Sequence, residues 1–350
     1  METGFGLGIL VILTGSTANS AFGLGLKFTR SWKWEHIWLL FSVTAMILIP
    51  WLLGFLTIES LFGVLAAADG RDLLLVFLFG MGWGVGSVLY GLALKMVGLA
   101  LSYAIVMGLT AAVGTMAPFV LLHWDDFLTF KGMVISAGVL LVVGGVLLSA
   151  WAGKLREESP ERLQESVESA ETPAKESRRS AAVLLGLLVA ALSGILSPML
   201  NLSFAYGIRL ADQAVLLGTS PSMASNVIWV VALTAGFLVN AGYCVYLIVK
   251  GRSWRTFRGQ PFHYGVGAAM GILWVSGVVT YGIGGSMLGD MREVIGWPMA
   301  SAMSIIAATF WGALSGEWTG ASRRSMAVMG VSILVLSASM FLIGWTNTLG

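Results

Sequence analysis

The chain predicts an all-α integral membrane protein of ten transmembrane helices arranged as two inverted five-helix repeats. Three observations predict it. Hydrophobic residues fill 57% of the 350 positions and charged residues only 11%, with a mean hydropathy of +0.86, whereas a soluble domain carries about 25% charge. The phrase Gly80-x-x-Trp83-x6-Tyr90-Gly91-x6-Gly98 returns 191 residues later as Gly271-x-x-Trp274-x6-Tyr281-Gly282-x6-Gly289, and the same offset pairs Ala117 with Ala308 and Phe119 with Phe310. Finally, the basic residues cluster in alternate loops, as a fixed orientation in a bilayer requires.

Taken in order, each span needs roughly 20 apolar residues to cross a hydrocarbon core of about 30 Å. Such stretches fall near 4–26, 37–56, 73–94, 98–121, 132–151, 181–207, 224–249, 263–284, 295–315 and 326–346. The break at 152–180 holds Glu157, Glu158, Glu161, Glu165, Glu168, Glu171 and Glu176 among basic residues, with Pro160 and Pro173. Such a segment cannot bury a core and reads as a solvated linker. It divides the chain into a first five-helix repeat (1–151), a charged linker (152–180) and a second repeat (181–350). Of the 20 Lys and Arg residues only Arg71, Lys131, Arg209 and Arg292 lie in the even-numbered loops. The odd-numbered loops and the linker therefore face the cytoplasm, and both termini face outward. Five spans per half then make the halves inverted. Trp32, Trp34 and Trp38 read as an interfacial belt at the start of the second span.

Several function classes are excluded. The net charge of +2 and the lack of a basic-aromatic stretch give no nucleic-acid partner. Three histidines, one cysteine and no nucleophile or phosphate-loop motif give no metal, cofactor or enzyme signature. No cleavable leader is expected, since Met1 to Gly4 lacks a basic start. A repeated membrane chain is most economically a transporter with its solute site between the repeats.

A midplane site needs inward polar or aromatic groups. Trp83, Tyr90, Trp274 and Tyr281 are candidates, because each Trp–Tyr pair is two helical turns apart and an aromatic face packs on the C–H face of a sugar. Aromatic core packing is the competing reading. Asn19 in the first span and Asn201 in the sixth, beside Pro198, are amides in apolar surroundings, for which a site or interhelical role and a bond back to the residue's own helix are equally expected. Ser87 and Thr280 are weaker candidates, because Ser and Thr readily bond back to their own helix. Of the ionisable groups, His263 opens the eighth span and could titrate near neutrality or simply cap it. Glu35, Glu317, Lys27 and Arg323 fall on the cytoplasmic side, as ion pairs latching an inner gate or as solvated helix ends.

The segments Phe77-Leu-Phe-Gly-Met-Gly-Trp83 to Tyr90, Leu273-Trp274 to Tyr281, and Gly316-Glu317-Trp318 to Arg324, with Trp32-Lys-Trp34-Glu35 and Leu217-Gly-Thr-Ser-Pro221, resemble the bacterial L-rhamnose–proton symporter family of the drug/metabolite transporter superfamily. The resemblance spans nearly the whole chain. It implies a ten-helix inner-membrane carrier that imports L-rhamnose or a related deoxysugar by alternating access, with a proton as coupling ion and no cofactor; an exporter of drugs or metabolites on the same fold is the alternative. Monomer and homodimer both remain open. Where that family's pattern carries amides this chain has Ser87 and Leu89, and where it carries a glutamine, Gly277.

Overall fold

The computed structural model describes residues 2–29, 32–97, 99–157, 176–258 and 261–348. Gly98, which closes the first copy of the repeated phrase, Arg30, and residues 158–175 of the charged linker lie outside the described residues. Among the described residues the protein is helical, and ten helices are long and apolar enough to cross a membrane. They are α1 (Gly4–Phe28), α2 (Trp34–Thr57), α3 (Gly70–Ala93), α4 (Ile105–Leu122), α5 (Phe130–Arg156), α6 (Leu184–Leu216), α7 (Asn226–Lys250), α8 (Phe262–Gly285), α9 (Arg292–Leu314) and α10 (Arg323–Trp345).

The ten expected spans match these helices with one substantive change. The sixth continues nine residues beyond 207, because Gly207 turns the chain into a further amphipathic helix, Ile208–Leu216, instead of ending it. It is also broken earlier, at Ser197–Pro198, where proline removes a backbone donor and its ring disfavours continuation. Pro50 has a related effect in α2: Val43–Leu48, just before it, is wound as a π-helix.

The helices pair in a regular pattern. α1 packs on α8 and α9, as α6 packs on α3 and α4. α2 lies on α8 as α7 lies on α3, and α4 on α5 as α9 on α10. The remaining major pairs are α2–α7, α4–α9 and α5–α10. Exchanging each helix for the one five later returns the same set. Glycines permit the tightest of these contacts, since a missing side chain lets backbones approach. A Cβ at Gly80 would fall 2.8 Å from the Cα of Ala232 in α7; one at Gly271 would fall 2.7 Å from the Cβ of Thr44 and 3.0 Å from the backbone nitrogen of Ala45 in α2.

The expected tryptophan belt is not one. Trp32 and Trp38 are buried, Trp34 stacks on Trp38 at 5.0 Å, and the Trp38 indole donates to Asn240 of α7 at 3.0 Å. Trp34 and Trp38 pack at the α2–α7 interface, where Asn240 accepts the Trp38 N–H and Trp34 meets Tyr243, whereas Trp32 packs on Phe257 and on His263 and Tyr264 at the start of α8. The Phe119–Phe310 match likewise joins unlike environments: Phe119 is fully buried, whereas Phe310 is 55% exposed.

Candidate functional site

The two repeated tryptophans meet. Trp83 of α3 and Trp274 of α8 stack with ring centroids 5.2 Å apart at 25°. Phe41 of α2 closes edge-on against Trp274 at 5.9 Å, and the Asn19 amide of α1 donates to the Trp274 carbonyl at 2.7 Å. Four helices thus hold the ring pair. Asn19 also occupies the space beside Gly277: a Cβ there would lie 2.9 Å from the Asn19 amide nitrogen, so no glutamine fits at 277 in this chain. Near Ser87 the amide comes from another helix as well. The Ser87 hydroxyl donates at 3.2 Å to the Asn240 carbonyl oxygen, whose amide nitrogen donates to Gly236 and Gly84 carbonyls at 3.0 and 3.4 Å.

From the tryptophan pair the two tyrosines lead to different surroundings. Tyr90 lines a cavity of about 310 Å³ together with Tyr103, Ser149 and Ser20. Lys27, Arg156 and Glu317 line the same cavity. Lys27 is paired with Glu317 and donates to the Ser315 hydroxyl at 2.7 Å, while Arg156 approaches the other Glu317 oxygen at 3.6 Å and lies over the Trp318 ring at 5.2 Å. The cavity therefore combines aromatic walls, hydroxyls and a charged cluster, an inventory that suits a small polyol.

Tyr281 instead runs to a closed polar network. Its hydroxyl donates to the Asn201 side-chain oxygen at 2.6 Å; the Asn201 amide donates to the Gly114 carbonyl at 2.8 Å and the Glu293 carbonyl at 3.2 Å. Trp297 packs edge-on to Tyr281 and donates to the Thr110 carbonyl at 3.0 Å. The Glu293 carboxylate, itself buried, meets His123 Nε2 at 2.7 Å. Asn201 and Tyr281 are thus tied to each other by direct bonds, and α4, α6, α8 and α9 are sealed together.

The other candidates separate. Thr280 bonds back to Ser276 and Gly277 and packs on Gly15, and Thr14, Ser16, Thr17 and Ser20 also bond back within α1. His263 is buried against Trp32 at 5.0 Å, in a cluster with Phe257 and His36. Glu35 is half-buried and lies near Tyr243 and Cys244 of α7. Arg323 is exposed at the start of α10; Arg156 is the second cation at Glu317. Sequence reasoning passed over Arg156, Asn240, His123 and Glu293. Asn240 had a signal, an amide within an apolar run; the others stand at helix ends, where a charge attracts no notice.

The model of a protein family described as L-rhamnose-proton symport protein (RhaT) matches residues 1–347. The chain is 25% identical over 358 residues to the L-rhamnose-proton symporter of Escherichia coli O17:K52:H18 (strain UMN026 / ExPEC), covering 99% of this chain and 100% of that protein. Identity and coverage are the same for the L-rhamnose-proton symporter of Shigella boydii serotype 18 (strain CDC 3083-94 / BS512). A solved protein crystal structure shares the fold with a TM-score of 0.55 at 16% identity, covering 98% of this chain and 97% of the other.

Proposed function

The chain belongs to the L-rhamnose-proton symport protein family, and from that premise we propose that it imports L-rhamnose or a related deoxysugar together with a proton. Members of this family are transporters and not enzymes. The observation that carries the substrate reading is the cavity that Tyr90, Tyr103, Ser149 and Trp311 line: its rings accept the apolar face of a sugar while the hydroxyls offer hydrogen bonds, and Trp83, seven residues before Tyr90 on α3, stacks on Trp274.

The mechanism we infer is alternating access between two inverted five-helix halves of the drug/metabolite transporter type, in a multi-pass inner-membrane protein with both termini outside. The pairing of helices under a five-helix shift supports this, as do the tyrosines: Tyr90 leads to the Lys27–Glu317 end and Tyr281 to the Glu293–His123 end. The first of these ends carries the linker and the basic loops, so it is assigned to the cytoplasm. In this arrangement Asn201, Tyr281 and Trp297 close the outer end, the Lys27–Glu317–Arg156 cluster latches the inner one, and the substrate passes between them along the tryptophan pair.

Uptake of labelled L-rhamnose by proteoliposomes tests the reading. Uptake saturates and accumulates when the outer medium is made acidic, and adding L-rhamnose to de-energised vesicles raises the external pH as protons enter with the sugar. Trp83→Ala and Trp274→Ala each lower uptake at least about tenfold, the loss expected when an aromatic contact worth about 1.4 kcal/mol disappears. Saturable uptake without proton movement removes the coupling; no uptake or competition by any deoxysugar removes the substrate class.

A further inference from the structure

We infer that His123 and Glu293 form a proton-binding site that holds the outer end shut, so that protons on the outer side set how readily that end opens. The inference rests on the proposed orientation of the carrier. Glu293 sits in the first turn of α9 and is only 1% exposed. One carboxylate oxygen meets His123 Nε2 at 2.7 Å; the other, Oε2, is buried and has no hydrogen-bond partner among the described residues. A bare carboxylate in such a place is strongly disfavoured unless a cation or a proton compensates it. With one proton shared by the pair the site is neutral; with none, a negative charge is stranded.

The surrounding groups favour the protonated pair. Besides Glu293, the charges of Asp126, just beyond α4, and of Asp290, in the turn before α9, reach His123. Arg292 turns its guanidinium nitrogen Nε to the Gly289 carbonyl at 3.0 Å, and its charge reaches Tyr281. α6 and α8 contribute the uncharged Asn201 and Tyr281, and α4 the Gly114 carbonyl. The hydrogen bond to Glu293 holds His123 above its ordinary pKa; burial opposes this, and the charges of Glu293, Asp126 and Asp290 add to it.

The sign follows. Opening hydrates His123 and returns it toward the ordinary imidazole value of about 6.5. The closed end is therefore stabilised by its proton in full below that value, and loses this stabilisation as pH rises through the raised value of the closed state. The pair also joins the halves, His123 from the first and Glu293 from the second.

Thiol labelling of the sugar-free protein tests the site. In a Cys244→Ala background, Thr115→Cys places a thiol one residue from Gly114, at a fully buried position. Labelling by a membrane-impermeant maleimide added outside is normalised to Asp125→Cys, at an exposed position. Normalised labelling rises several-fold from about pH 6 to about pH 8, the range in which a histidine titrates. In His123→Gln and Glu293→Gln the profile is flat. A flat profile in the parent, or an undiminished rise in folded variants, overturns the inference; the parent profile decides even if a variant does not fold. No sugar is needed, so a protein that ignores L-rhamnose but keeps the pH-dependent labelling loses the transport reading alone.

Discussion

Asn201 makes three hydrogen bonds with its side chain, each to a different helix, and every one of those partners would otherwise face an apolar interior. Interhelical bonds in membrane proteins contribute about 0.6 kcal/mol each and up to about 1.7. Asn201→Leu is therefore expected to lower stability by about 1–2 kcal/mol and Tyr281→Phe, which loses one bond, by less than half of that. Unfolding of the purified variants in detergent gives the measurement; equal losses would mean that the Tyr281 hydroxyl alone carries the network. Both residues were legible in the sequence as polar groups in apolar surroundings. Their role in joining helices was legible only as an alternative, because one chain gives no register between α6 and α8. His123 and Glu293 were not legible, since a pair separated by 170 positions has no local signature and both lie at helix ends. The α1 hydroxyls went the other way: the expectation that Ser and Thr bond back to their own helix describes Thr14, Ser16, Thr17 and Ser20.

At the level of helices, the repeated glycines do more than mark a repeat. Gly80 in α3 meets the backbone of α7, and Gly271 in α8 meets the backbone of α2, so equivalent positions serve equivalent contacts. Gly80→Ala and Gly271→Ala force those helices apart by a few tenths of an ångström or more, with an expected cost of about 1–3 kcal/mol each. Gly4→Ala, with open space around it, serves as the control and leaves thermal unfolding unchanged. Equal stability of all three variants would contradict the packing described. Spans were legible because length and hydropathy are properties of a single helix. The extension of α6 past Gly207 was missed because residues 208–216 are amphipathic: Arg209 and Asp212 dilute the apolar signal although the segment is helical. The tryptophans of 32–38 were misplaced for a related reason, as an aromatic near a span end reads alike whether it faces lipid or a neighbouring helix.

Across the whole molecule the two ends differ. One holds the Lys27–Glu317–Arg156 cluster in the wall of a cavity; the other is closed by Asn201, Tyr281 and the buried Glu293–His123 pair. The Trp83–Trp274 contact lies between them. The sequence echo singled out Trp83 and Trp274, and these two rings stack on each other. It could not foretell that the two tyrosines would have different partners, because a single conformation of a carrier breaks the symmetry that its sequence keeps. Spin-label distances measured at both ends of one sample test the account most directly, with one pair across α5 and α9 at the Glu317 end and another across α4 and α8 at the Glu293 end. Adding L-rhamnose at acidic pH is predicted to shift the two distance distributions in opposite senses, one end closing as the other opens. Ends that move together, or neither moving while transport proceeds, would contradict it.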